Sequence, residues 1–167
     1  MKNGIGLRIA SIAFVVLAAS LFAHAQFSAP SSGAAQRGSA FTIPKTHLLQ
    51  PEELNRLLQK GGADKPVVLQ VGSHIMFAEA HIAGAEYVGP GARPQGLELL
   101  QSKLAPLSRK DLIVLYCGCC PWDRCPNVTP AFSKAREMGF TNVKVLYLAN
   151  NFGADWVSKG YQVEKGR

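Results

Sequence analysis

The chain has 167 residues, with 18 Lys and Arg against 11 Asp and Glu for a net charge of +7, and only four cysteines. Less the N-terminal leader described next, that length suits one domain and not two. The bases are scattered, Arg109-Lys110 being the one adjacent pair beyond the leader, which describes a solvated surface and not the basic stripe of a nucleic-acid binder.

The N-terminus reads MKNGIGLRIASIAFVVLAASLFAHAQ. Lys2 and Arg8 form a positive region, Ile9 to Phe22 an apolar run, and Ala23-His24-Ala25 a small-x-small site before Gln26. This pattern predicts a signal peptide over 1–25. The apolar run is shorter than the roughly 20 residues of a spanning helix, so no membrane attachment is expected after cleavage. No cysteine lies at the cut, which excludes a lipoprotein anchor. An exported protein results, of a bacterial periplasm, and losing Lys2 and Arg8 lowers the charge from +7 to +5. Residues 26–42, rich in Ser, Ala, Gly and Pro, read as a flexible linker, because so few large apolar groups cannot offset the entropy of ordering.

From Phe41 the chain becomes regular. LLQPEELNRLLQKG has apolar residues at Leu54, Leu57 and Leu58, Pro51 and two acids in the first turn, and Gly61 as a stop, which predicts an amphipathic helix. PVVLQVG predicts a short buried strand. IMFAEAHIAGAEYVG predicts a brief helix, a turn at Gly84 and a small strand around Tyr87. LELLQSKLAPL predicts a helix ending near Pro106. DLIVLYC is the strongest strand signal in the chain. After the thiol loop, TPAFSKAREMGF offers Thr129 as N-cap, a proline in the first turn and Gly139 as C-cap. NVKVLYLA predicts another strand, FGADWVSKG a short helix, and YQVEKG the tail. Strands alternating with helices predict an α/β domain, a parallel sheet covered on both faces.

The thiol loop, YCGCCPWDRCPN, holds Cys117, Cys119, Cys120 and Cys125. It lies between the carboxyl end of a buried strand and a helix start, where open α/β sheets bind ligands. The unpaired amides and dipole of a helix start lower a thiol's pKa and sharpen its nucleophilicity. A disulfide framework would tie distant segments, which these neighbours cannot do. Structural zinc would place paired C-x₂₋₄-C knuckles across a long spacer, a pattern absent here, so no metal is expected. Cys117 and Cys120 do form a C-x-x-C pair after a strand, and a redox pair stays open. His81 reads as a structural histidine, Trp156 as core, and Trp122 as a shield of the loop or a cap on the core edge.

The strand, YC loop and helix, then GFTNVKVLYL and Trp156 ahead of GYQVEKG, resemble the second half of a rhodanese (sulfurtransferase) domain. VVLQVGSHIMFAEAHIAGA resembles the first half, so the likeness spans residues 48–166. It implies a three-layer α/β fold with a central parallel sheet flanked by helices. It also implies a loop cysteine that takes sulfane sulfur as a persulfide and hands it to an acceptor, without a cofactor. Two departures stand out. Gln70 and Gly72 occupy the places of an acid and a base in the first strand, removing a structural pairing. In the loop, the family's cysteine directly follows the strand and its arginine comes five residues later. Cys117 has the strand-end position, with Arg124 seven residues on, whereas Cys119 has the arginine spacing. Strand position favours Cys117 as nucleophile, with Cys119 as the alternative. Arg124 is then expected to hold a small anionic donor such as thiosulfate. Cys119, Cys120 and Cys125 are candidates to resolve the persulfide or form a redox pair, and a thiol or protein is the expected acceptor. A monomer is expected. The alternative is a non-catalytic module of the same fold that uses the cluster for metal binding or redox sensing.

Overall fold

Val67–Gln70, Ile113–Tyr116 and Val143–Leu146 are apolar runs too short for helices and rich in β-branched residues, and each forms a strand. They are β2, β5 and β6 of a computed structural model that describes residues 42–62 and 65–166. The expected signal peptide, and all of the expected linker except Thr42, lie outside the described residues. Two-residue strands β1 (Leu48–Leu49) and β4 (Glu86–Tyr87) complete a five-stranded sheet of order β1-β6-β5-β2-β4, every pair parallel. β3 (His81–Ile82) pairs antiparallel with β7 (Val163–Glu164) in a separate ribbon. This is the α/β architecture with a central parallel sheet.

Side-chain alternation along the strands divides the core in two. Leu69, Ile113, Leu115, Val143 and Val145 face one way and pack against α3 (Pro94–Leu104) and α4 (Val128–Glu137) through Leu100, Leu104, Phe132 and Ala135. Val68, Val114, Tyr116 and Leu146 face the other way, against Leu54 of α1 (Pro51–Lys60), Phe77 of α2 (His74–Glu79), Phe152 of α5 (Phe152–Asp155) and Trp156. Trp156 is fully buried, as expected, with its indole N–H donating to Gln162 O at 3.1 Å. Burying side chains of this size contributes about 1.5–3 kcal/mol each. Among the described residues no helix is long and apolar enough to cross a membrane.

Two element boundaries differ from expectation. Helix α3 starts at Pro94, three residues before the apolar LELL, because proline's fixed φ suits a first helical position. Helix α4 starts at Val128, so Thr129 is already helical and Asn127 takes the N-cap position. The Asn127 side chain makes no cap bond. Its Oδ1 accepts from Ala92 N–H at 3.0 Å and its Nδ2 points at Cys117.

The sheet order reverses between β5 and β2. From β5 the chain moves through α4 on one face to β6, and from β2 through α2 on the opposite face toward β4. Such a switch point opens a crevice at the carboxyl ends of its two central strands. Cys117 follows one of those strands, and Gln70 ends the other.

Candidate active site

Tyr116 ends β5 with its carbonyl accepting from Val71 N–H at 2.8 Å, which locks the two central strand ends together. The chain then turns at Gly118, whose φ of 95° is readily adopted only without a Cβ. Gly118 O accepts from Phe152 N–H at 2.9 Å, and Trp122 N–H donates to Leu148 O at 3.0 Å. The loop is thus fastened to α5 and to the chain beyond β6. A single 3₁₀ turn, Trp122–Arg124, leads to buried Cys125 and into α4.

Gln70 and Gly72, the two departures in the first strand, have definite roles. Gln70 is buried, and its Nε2 donates to Cys117 O at 3.0 Å while its Oε1 accepts from Gly72 N–H at 3.1 Å. A neutral amide here holds the thiol loop against β2 with no buried charge to compensate. At Gly72 a Cβ would lie 2.8 Å from Cys117 Sγ and 2.9 Å from Cys117 O. Glycine is required at that position for space, not for an unusual backbone angle. Sequence alone registered the missing pair of charges but offered no signal for this role.

The sulfur atoms converge. Cys117 Sγ lies 3.3 Å from Cys119 Sγ, which lies 3.2 Å from Cys120 Sγ. The Sγ atoms of Cys117, Cys119 and Cys125 all fall within 4.8 Å of one another, a span that a soft metal ion could bridge. Cys117 is buried, yet its pKa is lowered to about 5. The largest cause is the Cys125 thiol acting as hydrogen-bond donor, which outweighs the upward push of burial. Asn127 Nδ2, 3.4 Å from the sulfur, and the Cys119 amide add to it. The partners shift the opposite way. Burial and thiol contacts push Cys119 up to about 12, and donation to Cys117 raises Cys125. One thiolate at Cys117 surrounded by protonated thiols is the favoured state. The amides at the start of α4, from Asn127 and Val128, act on Cys125 and not on Cys117. The helix start therefore reaches the candidate nucleophile only indirectly, through Cys125 and the Asn127 side chain.

A cavity of about 320 Å³ opens beside Cys117. Gln70, Tyr116, Gly118 and Cys119 border it from the crevice side, and residues of α2 and α5 form its other walls. Arg124 is exposed in the 3₁₀ turn and is not among the cavity's lining residues. Cys120 and Trp122 are half-buried against the core on the α3/α4 face. His81 lies away from the cysteines. Its Nδ1 donates to Phe77 O at 2.8 Å, its ring stacks on Phe77, and its Nε2 is 3.7 Å from the Glu164 carboxylate, so it fastens the β3–β7 ribbon.

A family model described as a rhodanese-like domain matches residues 50–148. Among curated proteins no match is found. Similar solved structures include the BH2092 protein from Bacillus halodurans, at 24% identity and TM-score 0.56, covering 71% of this chain and 77% of that one. The Alr3790 protein from Anabaena sp. is 21% identical with TM-score 0.54, covering 71% of this chain and 92% of that one. A cysteine-persulfide form of EanB with ergothioneine is 22% identical with TM-score 0.54, covering 70% of this chain and 27% of EanB. At these identities the structures share the fold, and the family rests on the match to the domain model, which spans more than half of the sequence. The chain belongs to the rhodanese-like domain family.

Proposed function

We propose that this is an exported sulfurtransferase or sulfur carrier that moves sulfane sulfur through a persulfide on Cys117. The observation that carries the reading is the arrangement of hydrogen-bond donors around that sulfur. Cys125, Asn127 and Cys119 together hold a buried thiol as thiolate at neutral pH. The thiolate is the nucleophilic form, and a buried one serves no packing purpose that a thiol would not. Cys117 S⁻ attacks the terminal sulfur of a sulfane donor, forming one S–S bond as the donor's own S–S bond breaks. The donor's remaining sulfur leaves with the electron pair.

Two fates follow for the persulfide. An external thiol or a partner protein can accept the sulfur, which restores Cys117. Alternatively Cys119, 3.3 Å away, can pass its proton to the outer sulfur of the persulfide and attack Cys117 Sγ as the thiolate. A Cys117–Cys119 disulfide then forms, hydrosulfide leaves with the thiol proton, and an external thiol must reduce the disulfide afterwards. EanB, of which this chain covers 27%, forms a cysteine persulfide, which supports the reading. Export rests on the N-terminal pattern of the sequence, a charged region, an apolar run and a small-x-small site. The three converging sulfurs favour a second reading, a metal or redox module, in which several thiols would be bound at once.

The deciding experiment incubates the reduced protein with sulfane donors and counts added sulfur on each cysteine by mass spectrometry. One added sulfur on Cys117, absent in Cys117→Ser and retained in Cys119→Ser and Cys120→Ser, is expected. Loading that survives in Cys117→Ser but disappears in Cys119→Ser moves the nucleophile two residues along the loop.

A further inference from the structure

The walls of the cavity beside Cys117 bear on what enters it. Met76 of α2, Ala80 just after it, Phe152 of α5 and Val157 present apolar surface, and Val157 is 41% exposed. Apart from the Cys117 thiolate, Glu79, an exposed carboxylate at the end of α2, is the one charged side chain among the lining residues, which include no Lys, Arg or His. A site built for an inorganic oxyanion carries converging cations or amides. This cavity offers the reverse, an apolar wall and a negative charge. Its volume, about 320 Å³, lies at the small end of the range for organic ligand sites.

We infer that the molecule exchanging sulfur with Cys117 is a small organic sulfur compound, uncharged or cationic, whose carbon body occupies this cavity. The inference rests on the sulfur-transfer reading for its chemistry and on the cavity walls for its specificity. With an organic hydropersulfide RSSH as donor, Cys117 S⁻ bonds to the terminal sulfur and the RS–SH bond breaks. RS⁻ departs with the bonding pair, and the proton stays on the new persulfide. Atoms and charge balance, and no outside oxidant or reductant enters. In the return direction an organic thiolate occupies the same cavity and takes the terminal sulfur. Glu79 acts as a specificity residue. It repels thiosulfate and carboxylated thiols and favours an ammonium group near the mouth, each by a factor of about five at a partly solvated separation. Arg124 is not among the residues that line the cavity.

Persulfide-loaded protein is mixed with cysteamine, 2-mercaptoethanol or mercaptoacetate, which are similar in size and carry positive, zero and negative charge. Transfer rates are compared at equal thiolate concentration. The expected order is cysteamine, then mercaptoethanol, then mercaptoacetate, spread over about tenfold or more, and Glu79→Gln should compress that spread to about twofold. Equal rates for the three, or faster loading from thiosulfate than from an uncharged organic persulfide, overturn the inference. A second arm needs no sulfur transfer. In a Cys119→Ser/Cys120→Ser background, Cys117 should react with iodoacetamide over iodoacetate by a ratio that falls several-fold in Glu79→Gln. If no donor loads sulfur while this alkylation preference persists, the sulfur-transfer reading falls and the charge selection by the cavity stands. If loading proceeds and neither charge order appears, only the inference falls.

Discussion

Replacing Gly72 by Ala tests whether the two strand ends at the switch point are packed as tightly as the site requires. The new Cβ would sit 2.8 Å from Cys117 Sγ, 2.9 Å from Cys117 O and 3.0 Å from Gln70 Nε2. Comfortable carbon contacts begin near 3.5 Å, so something must move by about 0.7 Å or more. None of the three atoms is the free end of a flexible chain. The carbonyl is held by Gln70, the Gln70 amide is held by Gly72 N–H, and the sulfur sits among Cys125, Cys119 and Asn127. Overpacking of this kind costs about 1–3 kcal/mol. For a domain of this size that lowers Tm by about 4–12 °C. The displaced sulfur also loses alignment with Asn127, 3.4 Å away in the native site. Losing one hydrogen bond to a charged group, about 1.5–3 kcal/mol, raises a thiol pKa of about 5 enough to lower the thiolate population at pH 6 by about two- to fifteenfold. Thermal unfolding by circular dichroism gives the first number, and iodoacetamide labelling of Cys117 at pH 6 gives the second. A Gly72→Ala protein that melts within about 1 °C of wild type and labels at the same rate would refute the packing argument.

The labelling rate of Cys117 should be level from about pH 8 to 6 and fall as pH drops through about 5, because the thiolate and not the thiol reacts. The same depressed pKa contributes stability that is complete above the ordinary thiol pKa and lost as pH falls through about 5, which urea titrations across that window would detect. Asn127→Leu removes one donor and should move the midpoint of the labelling profile upward, with labelling at pH 6 slower by about two- to fifteenfold. Sequencing of secreted or periplasmic protein should give Gln26 as the first residue, whereas a retained Met1 in the membrane fraction would contradict export. Elemental analysis of the reduced protein should find no stoichiometric metal. Near one zinc or copper per chain, lost on replacing Cys117, Cys119 or Cys125, would instead favour the metal-module reading.

Periodicity and turn residues by themselves determined the α/β alternation, the three main strands and the position of the thiol loop at a strand end. These features are local: apolar runs such as Ile113–Tyr116 form strands wherever the sheet sits, and prolines and glycines punctuate them whatever packs nearby. Short elements escaped. β1, β3 and β7 are two residues long and exist only through partners distant in sequence, as Leu48 pairs with Val145 and Ile82 with Val163. The site divides along the same line. That four thiols share one loop was plain from their spacing, and strand position singled out Cys117. Which groups hold Cys117 was not legible, because Gln70 donates to its carbonyl, Gly72 packs against it and Asn127 donates to its sulfur only where β2, β5 and α4 come together at the switch point. The sequence offers Thr129 as the cap of the helix after the loop. Tertiary packing decided otherwise, directing the Asn127 amide to Ala92 and Cys117 and leaving the helix start to act on Cys125. The charge of the cavity wall is likewise a matter of assembly, since α2 and α5 are far apart in sequence and bring Glu79 and Phe152 to one cavity only in the folded chain.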